Sequence, residues 1–185
     1  MNIIGKKTLM RAMEPSDMPL LKEMMNDPAI EKAVGGWSFP VSSSEQQRWY
    51  DSAVSDKNNK RFIIETTDRE NNVAVGMIYL CDVDWKNRTV STGIKLASGA
   101  PRRCGYATDA VMALFEYAFS ELQMHRIGLK ILEDNEASRA LYEKCGAKKE
   151  GSLRDSVFKG GKYIDQLCYG VLESDFKKAK KIIYG

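Results

Sequence analysis

Apolar residues along this chain follow two different periods, and the switch between them divides the sequence. From residue 61 to 97 they come in short runs broken by polar turns. The runs are 61–66, 73–82 and 89–97, and the breaks are Asp68-Arg69-Glu70-Asn71-Asn72 and Lys86-Asn87-Arg88. Three runs joined by turns this short predict an antiparallel meander, with Gly76 as a candidate bulge. Beyond it the spacing lengthens. Ala107, Ala110, Val111, Leu114, Ala118 and Leu122 recur every three or four residues, the stripe of an amphipathic helix. Ile127, Leu129 and Ile131 then alternate and predict a strand over 126–132.

The flanks extend the pattern. Residues 8–13 read as a first strand, and Pro15-Ser16-Asp17 as a turn with an N-cap. Pro19 suits the first turn of a Met- and Leu-rich helix running to about Asn26. Asp27-Pro28 is expected to end that helix, since a residue before proline avoids the helical region. Gly35-Gly36-Trp37-Ser38-Phe39-Pro40 reads as a loop carrying two aromatics, and Ser42-Ser43-Ser44-Glu45 as the cap of a helix over 45–54. Asn135 caps a helix through Lys144, with Gly146 in the left-handed stop position. Two strands, 148–157 and 162–172, turn around Gly160-Gly161, and a short amphipathic helix closes the chain. This order predicts an α+β fold in α/β/α layers, a mixed sheet with helices on its faces, built as one domain over 1–185.

Composition narrows the function classes. The net charge of +3 comes from 28 basic and 25 acidic residues, too even a balance for a nucleic-acid partner. Lys177, Lys178, Lys180 and Lys181 suit a helix C-terminus. No apolar run reaches the roughly 18 residues of a membrane span. Cys81, Cys104, Cys145 and Cys168 form no CxxC pair, and His125 is the sole histidine, so no metal site is expected. Unpaired cysteines without a secretion signal read as reduced thiols in the cytoplasm. His125 reads as a residue at a strand edge.

Two segments carry candidate chemistry. Arg102-Arg103-Cys104-Gly105-Tyr106-Ala107 runs straight into the helix that begins near Thr108. Such a turn aims unpaired amides and the positive end of the helix dipole at one point, which suits a pyrophosphate, although many helices start from an ordinary loop of this kind. Gly105 permits close approach of an anion, and Ala107 keeps the first turn small. Neither GxGxxG nor GxxxxGK[ST] is present. The second segment is Asn135-Glu136-Ala137-Ser138-Arg139-Ala140-Leu141-Tyr142. Asn135 is a plain N-cap or a ligand contact. Tyr142, two turns on, packs in the core or faces the same crevice.

Taken together, these segments resemble the GNAT N-acetyltransferases. Arg102-x-x-Gly105-x-Ala107 is similar to their acetyl-CoA loop, and Asn135…Ala137-Ser138…Leu141-Tyr142…Gly146 to a later family segment. Glu150-Gly151-Ser152-Leu153-Arg154 and Gly161-Lys162-Tyr163-Ile164-Asp165 resemble the ribosomal-protein-alanine acetyltransferase branch and the related bacterial spermidine acetyltransferases.

The resemblance implies a GNAT fold of about seven strands, splayed between 89–97 and 126–132, with acetyl-CoA as acyl donor. In that reading Ile94, Lys95 and Leu96 pair with the carrier's arm. Arg102, Arg103, Cys104, Gly105, Tyr106, Ala107 and Thr108 hold its pyrophosphate, with Cys104 contributing only backbone, and Asn135 and Ser138 touch the arm. Tyr142 donates a proton to the departing sulfur as an amine attacks the thioester. Thr92 stands where many members carry a glutamate base, with Ser91 beside it, which leaves Asp82 or Asp84 acting through water, or an amine bound already neutral. The loop at 35–40 and Tyr79 carry no carboxylate, which marks down a polyamine acceptor. Trp37, Phe39 and Tyr79, with Trp49 and Trp85, either line an amphipathic acceptor pocket or pack as ordinary core and edge residues. The implied acceptor is a small-molecule amine, an antibiotic or a protein N-terminus, and the assembly a monomer or homodimer. A non-catalytic acetyl-CoA-binding module and an enzyme using longer acyl chains are the alternatives.

Overall fold

The computed structural model describes residues 1–36, 39–68 and 72–185. Eight strands form one mixed sheet: β1 (Ile3–Ile4), β2 (Thr8–Ala12), β3 (Lys60–Thr66), β4 (Ala74–Asp84), β5 (Thr89–Leu96), β6 (Arg126–Leu132), β7 (Lys148–Lys159) and β8 (Lys162–Leu172). Their order across the sheet is β1-β2-β3-β4-β5-β6-β8-β7. The strand beyond the seven expected is β1, whose two residues carry no periodic signal. It forms because Ile3 and Ile4 pair with Met10 and Leu9. At the opposite edge β7 runs two residues past the expected end, where Gly160 and Gly161 take positive φ values of 58° and 80° and close the hairpin.

Helices cover both faces. The first face carries α4 (Tyr106–Ser120), α5 (Glu136–Lys144) and α6 (Glu173–Tyr184). The other carries α1 (Met18–Met25), α2 (Pro28–Ala33) and α3 (Ser43–Ser55). The main core lies under α4, where Val111, Leu114, Phe115 and Ala118 meet Ile64, Ile78 and Ile127 with no exposed surface. Truncating a ring such as Phe115 at such a place costs about 3–5 kcal/mol. A smaller core joins Met13, Leu21 and Met24 to Ile63 and Met77 on the other face.

One helix departs from the sequence reading. Asp27-Pro28 begins a helix rather than only ending one: the Asp27 carboxylate accepts from the Ala29 amide at 2.7 Å, and Pro28 fills the first position, where no N–H is needed. The cap over 42–45 is reciprocal, with Ser42 and Glu45 each bonding the other's amide.

The sheet opens at its centre. β5 and β6 run parallel but pair only at Thr89–Arg126, Val90–Ile127 and Ser91–Gly128. Beyond that, β5 stays with β4 as far as Leu96, while β6 follows β8 from Leu129 to Leu132. The two halves part there, and α5 borders the gap through Ser138 and Tyr142.

Candidate active site

The gap sets the chemistry of the strand that borders it. The Ala97 amide donates to the Val75 carbonyl of β4. In an antiparallel ladder alternate residues share that direction, so Gly93 and Lys95 also turn their amides to β4. Thr92, Ile94 and Leu96 therefore turn theirs toward the missing half of the ladder. Of the β5 residues expected to offer backbone, Ile94 and Leu96 do so. The Lys95 amide faces β4 instead, and the residue lines the cavity.

Tyr142 closes the inner end of the opening. It is buried on α5, stacked near Phe115 with ring centroids 6.5 Å apart, and its hydroxyl has no hydrogen-bond partner among the described residues. A buried orphan hydroxyl is costly unless something arrives to bond it. Burial and the neighbouring Tyr79 raise its pKa, with the nearby Ile94 amide pulling the other way, so it remains a protonated donor. It lines a cavity of about 550 Å3 together with Ile94, Leu129, Asn135 and Ser138.

Two further hollows continue this cavity. The middle one shares Ile94, Lys95, Asn135 and Ser138 with it, and the outer one shares Leu96, Arg102 and Ala107 with the middle one. The track ends at the turn before α4, where Arg102, Arg103, Cys104, Gly105, Tyr106, Ala107 and Thr108 line the wall. Gly105 stands at the N-cap with φ 85°, a left-handed conformation that a side chain would strain, and places no capping group over the helix end. The Tyr106 side chain is directed elsewhere, its hydroxyl donating to Asp68 at 2.8 Å. The Cys104 thiol stays local, 3.4 Å from the Arg102 carbonyl.

This end of α4 is held from behind by contacts with no local sequence signal. The Lys7 ammonium donates to the Cys104 carbonyl at 3.1 Å. Buried Asp109 accepts from the amides of Lys6, Lys7 and Thr8, from the Thr8 hydroxyl and from the Tyr184 hydroxyl. Asn135 is the N-cap that its position allowed. Its Oδ1 accepts from the Ser138 amide at 3.0 Å as a cap, its Nδ2 donates to the Ala33 carbonyl at 2.8 Å, and it lines the cavity.

The opposite side of the cavity is bounded by Ala33 to Gly36 after α2, and by Tyr79, Cys81, Asp82, Ser91, Gly93, Arg126, Glu150, Gln166 and Cys168. Thr92 is no stand-in for a base: it is buried, and its hydroxyl donates to the Tyr79 carbonyl at 2.7 Å. Asp84 instead caps the turn at Asn87, accepting from its amide at 2.9 Å. Asp82 lines the cavity at a bulge with φ 52°. Glu150 is paired with Arg126. Burial and Asp82 push the Cys81 thiol up to about 12, so it is no thiolate nucleophile. Trp37 falls outside the described residues. Phe39 is 71% exposed, and Phe39, Trp49 and Trp85 are not among the residues lining these three hollows. His125 is exposed ahead of β6. No cluster of His, Cys, Asp or Glu among the described residues has the arrangement of a metal site.

The arrangement fits a long donor with an anionic end and a reactive end. Uncapped amides and basic side chains meet the first, unpaired strand amides flank the middle, and an orphan hydroxyl meets the last. Comparison with known proteins agrees. The acetyltransferase (GNAT) domain model matches residues 7–148. The prophage-derived N-acetyltransferase YokL of Bacillus subtilis is 32% identical over 174 residues, covering 94% of both chains. The putative ribosomal N-acetyltransferase YdaF of Bacillus subtilis is 26% identical over 181 residues, 96% of this chain and 97% of its own. The crystal structure of spermidine N-acetyltransferase from Vibrio cholerae with CoA and spermine superposes with a TM-score of 0.84 at 24% identity, over 92% of this chain and 98% of that one.

Proposed function

This chain belongs to the GNAT acetyltransferase family, and from that premise we propose that it moves the acetyl group of acetyl-CoA to a primary amine of a small molecule or a protein N-terminus. In this reading residues 1–185 act as one domain in the cytoplasm, in the ribosomal-protein-alanine acetyltransferase branch, as a monomer or homodimer. The resemblance of Glu150 to Arg154 and of Gly161 to Asp165 supports that branch, as does the likeness to YdaF. No helix among the described residues is long and apolar enough to cross a membrane.

The observation that carries the reading is the buried Tyr142 hydroxyl in the gap, beside the Ile94 amide and without a hydrogen-bond partner among the described residues. Acetyl-CoA supplies a thioester carbonyl open to attack. Arg102, Arg103 and the amides up to Thr108 hold its pyrophosphate, Leu96, Asn135 and Ser138 border its arm, and the Ile94 amide bonds the carbonyl oxygen as charge builds there. The amine attacks directly, the carbon–sulfur bond breaks, and Tyr142 donates its hydroxyl hydrogen to the leaving sulfur. Asp82 takes the first proton of the amine through water, or the amine binds neutral; the proton its nitrogen sheds after attack restores the Tyr142 hydroxyl. Tyr79 forms the acceptor wall.

A polyamine acceptor is the second reading. It is favoured by the likeness to the Vibrio cholerae enzyme and by the carboxylate of Asp82 in the cavity wall. Release of the CoA thiol separates the two, measured with spermidine, amino sugars and their nucleotides, aminoglycosides, and peptides with Ser, Ala or Met N-termini. Preferred turnover of spermidine over all the others would replace the first reading with the second.

A further inference from the structure

β5 divides its duties by parity, and one of its side chains is left without a role in donor binding. Lys95 lies opposite Met77 and on the same face as Gly93, toward α1 to α3 rather than α4. The residue lines both the inner and the middle hollow. It has neither a hydrogen bond nor an ion pair among the described residues. Burial, with the Lys159 ammonium nearby, lowers its pKa. Lys159 itself reaches from β7 to Glu31 of α2, with Oε1 at 2.6 Å, so Glu31 is committed. Glu150 is committed to Arg126 in the same way. Asp82 is the remaining carboxylate on the inner wall, and it sits at the other end of the strand pair, beside Cys81.

A half-buried cation without a counterion among the described residues, with a second cation nearby, is poised for an anion from outside the protein. Resting on the acetyltransferase reading, we propose that the acceptor carries a carboxylate or phosphate near its reactive amine, and that the Lys95 ammonium binds that group. The same charge repels a polycation. Two unpaired features then orient one acceptor: Lys95 takes its anionic end, while Tyr79 and Gly93 border the space through which its amine approaches Ile94 and Tyr142.

The test is titration calorimetry on the protein saturated with CoA, where no turnover occurs. Two matched pairs serve, glucosamine against glucosamine 6-phosphate and phenethylamine against phenylalanine, with spermidine as the cationic control. The phosphate and carboxylate arms report the two anions separately. Expected is at least tenfold tighter binding of the anionic member in one pair. That preference should vanish in Lys95→Met, while acetyl-CoA affinity stays within twofold of the parent. Absence of preference in both pairs overturns the proposal, as does a preference that survives Lys95→Met, or spermidine binding tighter than every anionic compound. Loss of acetyl-CoA affinity in Lys95→Met also overturns it, since the ammonium would then serve the donor's phosphates. Failure of the parent to bind acetyl-CoA would instead strike the acetyltransferase reading itself.

Discussion

The phenol of Tyr79 stands directly over the α-carbon of Gly93. A β-carbon on residue 93 would come within 2.5 Å of ring carbon Cζ and closer still to the hydroxyl oxygen. Glycine at this point of β5 is what lets a large ring from β4 lie flat against the cavity wall.

Gly93→Ala should therefore push the ring into the acceptor space. Overpacking of this kind costs about 1–3 kcal/mol. We expect an acceptor KM raised by about tenfold or more, with acetyl-CoA affinity unchanged, because the Ile94 and Leu96 amides keep their direction. Steady-state kinetics with each substrate varied in turn will show it, and equal losses on both sides would mean that the strand itself had shifted.

Tyr142→Phe removes a hydroxyl that has no hydrogen-bond partner among the described residues, so it should leave folding stability nearly unaltered. The rate should fall by about 100-fold, at the low end for loss of a positioned acid, with little change in acetyl-CoA affinity. Because burial raises the hydroxyl's pKa above its ordinary 10, the parent enzyme should keep its rate on the alkaline side up to about pH 10. A pH–rate profile that declines between pH 7 and 9 would remove Tyr142 as the donor.

Asp109→Ala strips one carboxylate from five donors spread over the Lys6 to Thr8 segment and Tyr184. Leaving buried amides unpaired should cost about 3 kcal/mol, or a melting temperature lower by about 10 °C. Urea denaturation and calorimetry will read it. The turn before α4 should loosen as well, so acetyl-CoA affinity should fall although Asp109 lines none of the hollows described.

Asp17 gives the acid response. Burial would raise its pKa, but the Arg11 guanidinium, at 2.7 and 2.8 Å, and the Glu14 amide outweigh that and hold it below the ordinary carboxylate range. A folded-state pKa below the unfolded one contributes stability that is present above about pH 4 and is lost as pH falls through the folded value. Asp17→Asn should cost about 2 kcal/mol at pH 7. It should also flatten the decline in stability between pH 4 and 2, as measured by urea midpoints across that range.

Much of this was legible in the chain because the signals are local. The stripe from Ala107 to Leu122, the reciprocal cap of Ser42 and Glu45, and the stop at Gly146 each depend on residues a turn or two apart. Helix α2 was hidden because Asp27-Pro28 both ends one helix and begins another, and the proline rule shows only the first. Strand β1 has two residues and exists through pairing alone. The supports of the site are the least legible. Asp109 reaches Lys6 to Thr8 across about a hundred residues, and Asn135 reaches Ala33 across a similar span. The orientation of Lys95 needs the register of β4 against β5, which periodicity does not contain.

The parity of β5 has an evolutionary consequence. Its even-numbered amides turn to the gap, whereas Ser91 and Lys95 turn their side chains to the other face, where Gly93 has none. Backbone amides survive substitution and side chains do not. A lineage can therefore retool its choice of amine one residue at a time along a single strand, without ever losing its grip on the acyl carrier.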